Sequence, residues 1–172
     1  MAAIHPAAMA IELLLRECEC RRTRRSGPGG QHRNKVETAF IIEHLPTGVI
    51  AEANERRSLE QNRQMAIGRL RVRLAAVVRS KQAEAAPISD CWRRRSGSGK
   101  IVVSDSHEDF PALLAEALDH LALHRYQTSE AATAMGVSTT SLVNLIAKSA
   151  EAITRVNHER GTRGMVKLRV NS

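Results

Sequence analysis

Thr38-Ala39-Phe40-Ile41-Ile42-Glu43-His44-Leu45-Pro46-Thr47-Gly48-Val49-Ile50-Ala51-Glu52-Ala53 is the stretch that decides the fold. Thr38 to Glu43 is rich in β-branched and aromatic residues, Pro46-Thr47-Gly48 supplies turn chemistry, and Val49 to Ala53 reads as the return strand. A β-hairpin is expected. On its N-terminal side, Glu17 to Arg25 alternates loosely, which suits a further strand. On its C-terminal side, Ser58 and Gln61 have the spacing of a capping box. A long helix then follows, with Asn62, Ala66, Leu70, Leu74, Val77 and Val78 at helical spacing. Its other faces carry Arg63, Arg69, Arg71, Arg73, Arg79 and Lys81. The sum is a small α+β domain over residues 16–82, a short mixed or antiparallel sheet covered by one long helix.

Ser26-Gly27-Pro28-Gly29-Gly30-Gln31-His32 lies between the first strand and the hairpin. Arg21, Arg22, Arg24 and Arg25 precede it, and Arg33 and Lys35 follow. Adjacent glycines reach backbone angles closed to other residues and let another molecule's backbone come close. A glutamine offered from such a loop among cations suits work on an uncharged bond within a polyanion. An ester joining a peptide to RNA is such a bond.

The chain has 172 residues, 42% of them hydrophobic, enough for one domain or two small ones. No apolar run approaches the ~20 residues of a membrane span. Residues 1–15 read as a short helix rather than a signal peptide, so a cytosolic protein without membrane association is expected. Cys18, Cys20 and Cys91 do not make a metal-binding pattern, since a pair two apart is poor ligand spacing. The net charge of +8 is uneven. Residues 1–100 carry 19 Lys/Arg against 10 Asp/Glu, and residues 101–172 carry 7 against 8. The first part is therefore a polyanion-binding candidate. Its aromatic residues are few, so contact should run through phosphates and shape rather than base stacking.

Composition shifts over residues 83–100, from Ala-Glu-Ala-Ala-Pro to Arg93-Arg94-Arg95-Ser96-Gly97-Ser98-Gly99-Lys100, and reads as a mobile basic linker. A phosphate-cradling loop would need glycine at Arg94 and Ser or Thr at Ile101, so that motif is excluded. Residues 101–172 read as a helical domain. Ile101 to Val103 suggests a short strand, and Asp109 is placed to cap a helix from Phe110 to about Leu123, with Pro111 in its first turn. Residues 128–146 resemble a helix-turn-helix: Ala132 lies four before Gly136 and Leu142 six after. Another helix is expected from Glu151 to Glu159, and Met165 to Val170 as a closing strand or basic tail. His120 and His124 share a face at i, i+4 without the glutamate of a zinc protease motif.

Residues Ser26 to Ala39 resemble the Gly-Gly-Gln loop of bacterial class I peptide chain release factors, and equally that of the shorter codon-independent ribosome-rescue hydrolases. The likeness continues through His44-Leu45-Pro46-Thr47-Gly48 and Glu55-Arg56-Arg57-Ser58 to Asn62-Arg63, and covers about residues 16–80. It implies a release-factor Gly-Gly-Gln domain that hydrolyses peptidyl-tRNA on the ribosome, with no cofactor and no metal. It assigns the chemistry to Gly29, Gly30 and Gln31, the backbone N–H of Gln31 supporting the transition state as an oxyanion donor. It places Arg33 and Lys35 at phosphate contacts with ribosomal RNA or tRNA, a footprint that Arg21, Arg22, Arg24, Arg25, Arg56, Arg57 and Arg63 extend. In the family a dedicated methyltransferase modifies the glutamine, so Gln31 is a methylation candidate and that enzyme a partner.

Release factors place a codon-reading domain before this one, and about fifteen residues precede the match here, so stop-codon reading is not expected. The rescue enzymes end in a highly basic tail, whereas this chain continues into a near-neutral half with Arg160, Arg163, Lys167 and Arg169 near its end. The expected function is codon-independent peptidyl-tRNA hydrolysis by a monomer that binds the ribosome. The alternative is a non-catalytic RNA- or DNA-binding protein using the basic domain and the helix-turn-helix.

Overall fold

The computed structural model describes residues 4–23, 38–80 and 87–169. It is an α+β protein with two compact units, Met9–Arg73 and Met1–Ala8 with Leu74–Ser172.

The Met9–Arg73 unit holds α1 (Ile11–Arg16) and a three-stranded antiparallel sheet of β1 (Cys18–Thr23), β2 (Ala39–His44) and β3 (Val49–Ala53), in that order. The hairpin forms as the sequence predicts. Gly48 closes its turn at φ +67°, a conformation that suits glycine, and donates to His44 O at 2.8 Å. Register puts Arg22–Phe40–Ala53, Cys20–Ile42–Ala51 and Cys18–His44–Val49 in rows on one face. Phe40, Ile42, His44, Val49, Ala51 and Ala53 in those rows are buried.

The long helix is α2 (Leu59–Val77), and Ser58 Oγ accepts its Gln61 N–H at 3.4 Å. Asn62, Ala66, Ile67 and Leu70 are buried. On β3, an outer strand, Arg69 donates to Glu52 O at 2.8 Å and Arg73 donates to Ile50 O. These guanidinium groups occupy backbone acceptors that an edge strand leaves open.

α2 ends sooner than its basic pattern suggests, and Arg79 is not on a solvated helical face. It bends back onto Ala75 O (2.8 Å) and Ala76 O (2.6 Å) and pairs with buried Asp119 at 3.4 Å. Unpaired carbonyls at a helix end, together with a carboxylate, offer it more than water does. Residues 1–15, expected as one short helix, instead contain a 3-10 turn (Pro6–Ala8) and α1, which extends to Arg16.

In the other unit, residues 87–100 of the expected linker are ordered. α3 (Asp90–Arg95) is followed by a small hairpin, β4 (Ser96–Gly97) with β5 (Lys100–Ile101). The reason is Trp92, which is fully buried and donates through Nε1 to Met135 O at 3.0 Å. Glu116 receives the N–H (2.8 Å) and hydroxyl (2.6 Å) of Ser89, whose oxygen in turn caps α3 at Trp92 N. Arg95 pairs with Asp109 at 2.8 Å.

α4 (Phe110–Leu123), α5 (Thr128–Ala134), α6 (Thr139–Ala147) and α7 (Ala150–Thr162) follow. Asp109 stands at the N-cap of α4 without a capping bond, its carboxylate being taken by Arg95. The 3-10 turn and α3 pack on α4, and α5, α6 and α7 pack in sequence. Gly136, at φ +67°, turns the chain between α5 and α6, and Ala131, Ala132, Met135, Val137, Leu142, Leu145 and Ile146 fill the angle between them. Ser138 caps α6 and Ser149 caps α7. The segment 128–146, read as a helix-turn-helix, holds α5 and α6 on either side of Gly136. Ile101 to Val103 contributes only Ile101 to a strand. Met165 to Arg169 is neither helix nor strand, and is tied to α7 by Asn157, which bonds both N–H and C=O of Leu168 (2.7 and 3.2 Å).

Trp92 is the chain's one tryptophan, and replacing it tests how the hairpin segment is held. Trp92→Ala is expected to cost ~3–5 kcal/mol, and Trp92→Phe ~1–2 kcal/mol for the orphaned carbonyl, in urea unfolding followed by circular dichroism. Equal midpoints for wild type and Trp92→Ala would show that the indole is not what orders residues 87–100.

His5 provides a second test. Its Nε2 lies 3.1 Å from Val78 O, which can only accept, so Nε2 carries the proton and Nδ1 accepts from Ala7 N at 3.0 Å. Protonating Nδ1 would set two donors against each other. Burial lowers the His5 pKa, opposed by the bond to Val78 and by Asp119, and burial likewise lowers that of His120. A histidine depressed in the fold contributes stability that is full above ~6.5 and lost as pH falls, because the unfolded chain takes up the proton first. Melting followed by Trp92 fluorescence should therefore show a lower midpoint at pH ~5.5 than at ~7.5, a gap narrowed by His120→Gln. Identical midpoints would remove these histidines from the stability balance.

Candidate functional site

β1 ends at Thr23 and β2 begins at Ala39, so the sheet holds both ends of the segment that carries the glycines and the glutamine. Gly29, Gly30 and Gln31 lie outside the described residues, as do Arg24, Arg25, Arg33 and Lys35. What the structure places is the frame around them.

Asn62 is central to that frame. It stands on the apolar stripe of α2 and is fully buried, with each side-chain polar atom satisfied. Its Nδ2 donates to Thr38 O at 2.6 Å and to Arg56 O at 2.9 Å, and its Oδ1 accepts from Arg56 N at 2.9 Å. One side chain thus joins the residue before β2 to the bend at Glu55–Arg57. Sequence reading placed Asn62 on the helix face without a role. The available signal was an amide on a stripe that is otherwise apolar, which is tolerated only when its bonds are met.

A second brace lies at the far end of the same strands. His44 is buried, and its Nε2 is 3.0 Å from Glu17 Oε2 while its Nδ1 is 2.7 Å from Thr47 Oγ1. The imidazole ties the entrance of β1 to the turn between β2 and β3.

The nominated cations divide. Arg21 is held by Glu19 (3.1 Å) and reaches Glu43 (3.5 Å), which neutralises it in place. Glu19 lowers as Arg21 rises in pKa, each through their shared hydrogen bond. Arg22 projects to the opposite side of β1, the face that carries Phe40. Arg22, Arg56 and Arg57 are exposed and have no carboxylate partner among the described residues. Arg63 pairs with Glu60 at 3.3 Å on one turn of α2. Next to Arg56, Glu55 pairs with Arg69 at 2.7 Å. That bond, with the N–H groups of Asn54 and of Glu55 itself, holds its carboxyl at about 2. The arrangement therefore keeps Arg56 and Arg57 available to a polyanion while Glu55 is engaged elsewhere.

Cys18 and Cys20 share one face of β1, as their spacing predicts. Burial, with Cys20 and Glu17 nearby, pushes Cys18 up to about 11, and burial also raises Cys20 and Cys91. All three are thiols rather than thiolates at neutral pH, which does not suit nucleophilic chemistry. No helix among the described residues is long and apolar enough to cross a membrane.

The RF-1 domain family model matches residues 7–107, more than half of the chain. Peptide chain release factor 1 of Xylella fastidiosa (strain 9a5c) is 44% identical over 82 residues. That alignment covers 48% of this chain and 20% of the relative, so the chain spans about a fifth of the length of that protein.

The Asn62 brace yields a direct prediction. Asn62→Leu keeps the volume but orphans Arg56 N, Arg56 O and Thr38 O, for an expected loss of ~2–4 kcal/mol in chemical unfolding. A loss below ~0.5 kcal/mol would show that water replaces the amide and that Asn62 braces nothing.

Proposed function

Because the chain belongs to the RF-1 domain family, we propose that it hydrolyses the ester linking a nascent peptide to tRNA on the ribosome, and that it does so without reading a codon. The observation that carries this reading is the Gly29-Gly30-Gln31 segment flanked by β1 and β2, with uncommitted arginines on the same unit. Water attacks the ester carbonyl, the bond from the carbonyl carbon to the ribose 3′ oxygen breaks, and that oxygen takes the proton. The products are a free peptide acid and tRNA. Charge builds on the carbonyl oxygen, where a backbone N–H at Gln31 is worth ~3 kcal/mol, or about a hundredfold in rate. The glycines allow the backbone conformation that aims this N–H, and the glutamine side chain positions the water. Gln31 is then also the residue that a glutamine methyltransferase would modify.

Electrostatics support a polyanionic partner. Arg22, Arg56 and Arg57 stand on the sheet unit with the loop, and Arg24, Arg25, Arg33 and Lys35 add charge within the loop segment itself. Beyond the matched residues 7–107 the chain folds as α4 to α7. Selection of the ribosomal complex falls to that unit rather than to a reader of stop codons.

Peptide release from ribosomal complexes with empty, sense-codon and stop-codon A sites tests both parts. Wild type is expected to release peptide irrespective of the codon. Gln31→Pro, which removes the backbone N–H, should lose about a hundredfold or more in rate while still pelleting with ribosomes. Release confined to stop codons would overturn codon independence, and undiminished release by Gln31→Pro would overturn the catalytic assignment.

A further inference from the structure

The β4–β5 hairpin and α6 form one surface. Ser138 N donates to Gly99 O at 2.7 Å and Ile101 N donates to Ser141 Oγ at 2.9 Å. These two bonds clamp the residues on either side of Lys100 onto the first turn of α6, so that Lys100 is presented beside Thr139 and Thr140. From there Thr140, Asn144 and the C-cap residue Lys148 follow at intervals of four, all three exposed, with the Lys148 ammonium donating to Val103 O. The other side of the helix is buried through Leu142, Val143, Leu145 and Ile146, so the surface is backed by core.

Its cations are Lys100 and Lys148, and residues 91–103 and 131–150 contain no Asp or Glu. Of the arginines on α3, Arg93 and Arg95 are paired with Asp90 and Asp109, which leaves Arg94 without a carboxylate partner among the described residues.

We propose that this face, centred on Lys100, Thr140, Asn144 and Lys148, is a docking surface for double-stranded RNA. A polyanion fits the cations. The uncharged residues decide between RNA and DNA. Hydroxyl and amide side chains both donate and accept, as the ribose 2′-hydroxyl does, and 2′-hydroxyls line the wide, shallow minor groove of an A-form helix. Of the side chains that pair bidentately with a base edge, the exposed stripe of α6 carries Asn144 and no arginine or glutamine, so most of its polar groups suit backbone and sugar. Contact by shape and backbone follows. On the reading given above, the duplex belongs to ribosomal RNA, and the surface contributes to holding the enzyme on its complex.

The test uses the full chain with Lys100→Glu and Thr140→Glu combined. Both positions are exposed, and an acid in the first turn of α6 favours the helix, so the variant is expected to fold. Circular dichroism and a wild-type melting midpoint check that. Fluorescence anisotropy then compares an RNA duplex of about 16 base pairs with a DNA duplex of the same sequence. Wild type should prefer the RNA. The variant should bind it about tenfold more weakly, with a salt dependence reduced by about one to two released counterions. Peptide release should keep its maximal rate while the ribosome concentration for half-maximal rate rises. Unchanged RNA affinity in the variant would overturn the proposal, as would a wild-type preference for DNA that the variant loses. If the wild-type chain releases no peptide but the RNA affinity falls in the variant as expected, the hydrolase reading fails and this surface stands.

Discussion

Everything near the loop hangs on the buried amide of Asn62. A sheet satisfies its own backbone, but the chain entering β2 at Thr38 and the bend at Arg56 have no ladder to join. Asn62 supplies two donors and one acceptor to those places from a single rotamer on a long helix. That side chain fixes the chain at Thr38, just after the segment containing Gln31 in sequence, and it fixes the bend bearing Arg56 and Arg57 against the same point. An apolar residue would pack as well and would leave three polar groups stranded.

A similar economy governs the helical unit, where Trp92 takes the central place. Its ring fills the interior and its N–H meets the carbonyl of Met135, at the turn between α5 and α6. The glutamate of α4 that receives Ser89 and the aspartate that receives Arg95 hold the flanks of the same segment. Charges in this unit are therefore sorted by role. Some close ion pairs that position α3 and the end of α2, and others stay exposed on the face built by the hairpin and α6.

The sheet and its covering helix were legible because their signals are local. Alternation with β-branched residues, a Pro-Thr-Gly turn and a serine cap each act over a few residues, and each formed where read. The helices α5 and α6 were legible for the same reason, through a turn glycine between them. Residues 87–100 read as a linker because a run of arginine, glycine and serine looks solvated, and composition gives no weight to the single buried indole of Trp92. Arg79 and Asp109 also went elsewhere than a local rule would send them. Each has a charged partner 14 or more residues away in sequence, Arg79 with Asp119 and Asp109 with Arg95. Among the basic residues, sequence gave no means to separate Arg21, which is neutralised by Glu19 and Glu43, from Arg22, which is not.

The amino-acid sequence alone determined the elements and the chemical identity of the loop, since both depend on short-range patterns and on which residue types stand together. Only the tertiary structure decided which polar groups are spent and which are left to act. That depends on partners brought together by packing: the amide of Asn62 on Thr38 and Arg56, the carboxylates on Arg21, Arg79 and Arg95, and the hairpin that sets Lys100 beside α6. Hydrogen bonds and ion pairs act only within a few ångströms, and sequence order says little about who comes within that distance.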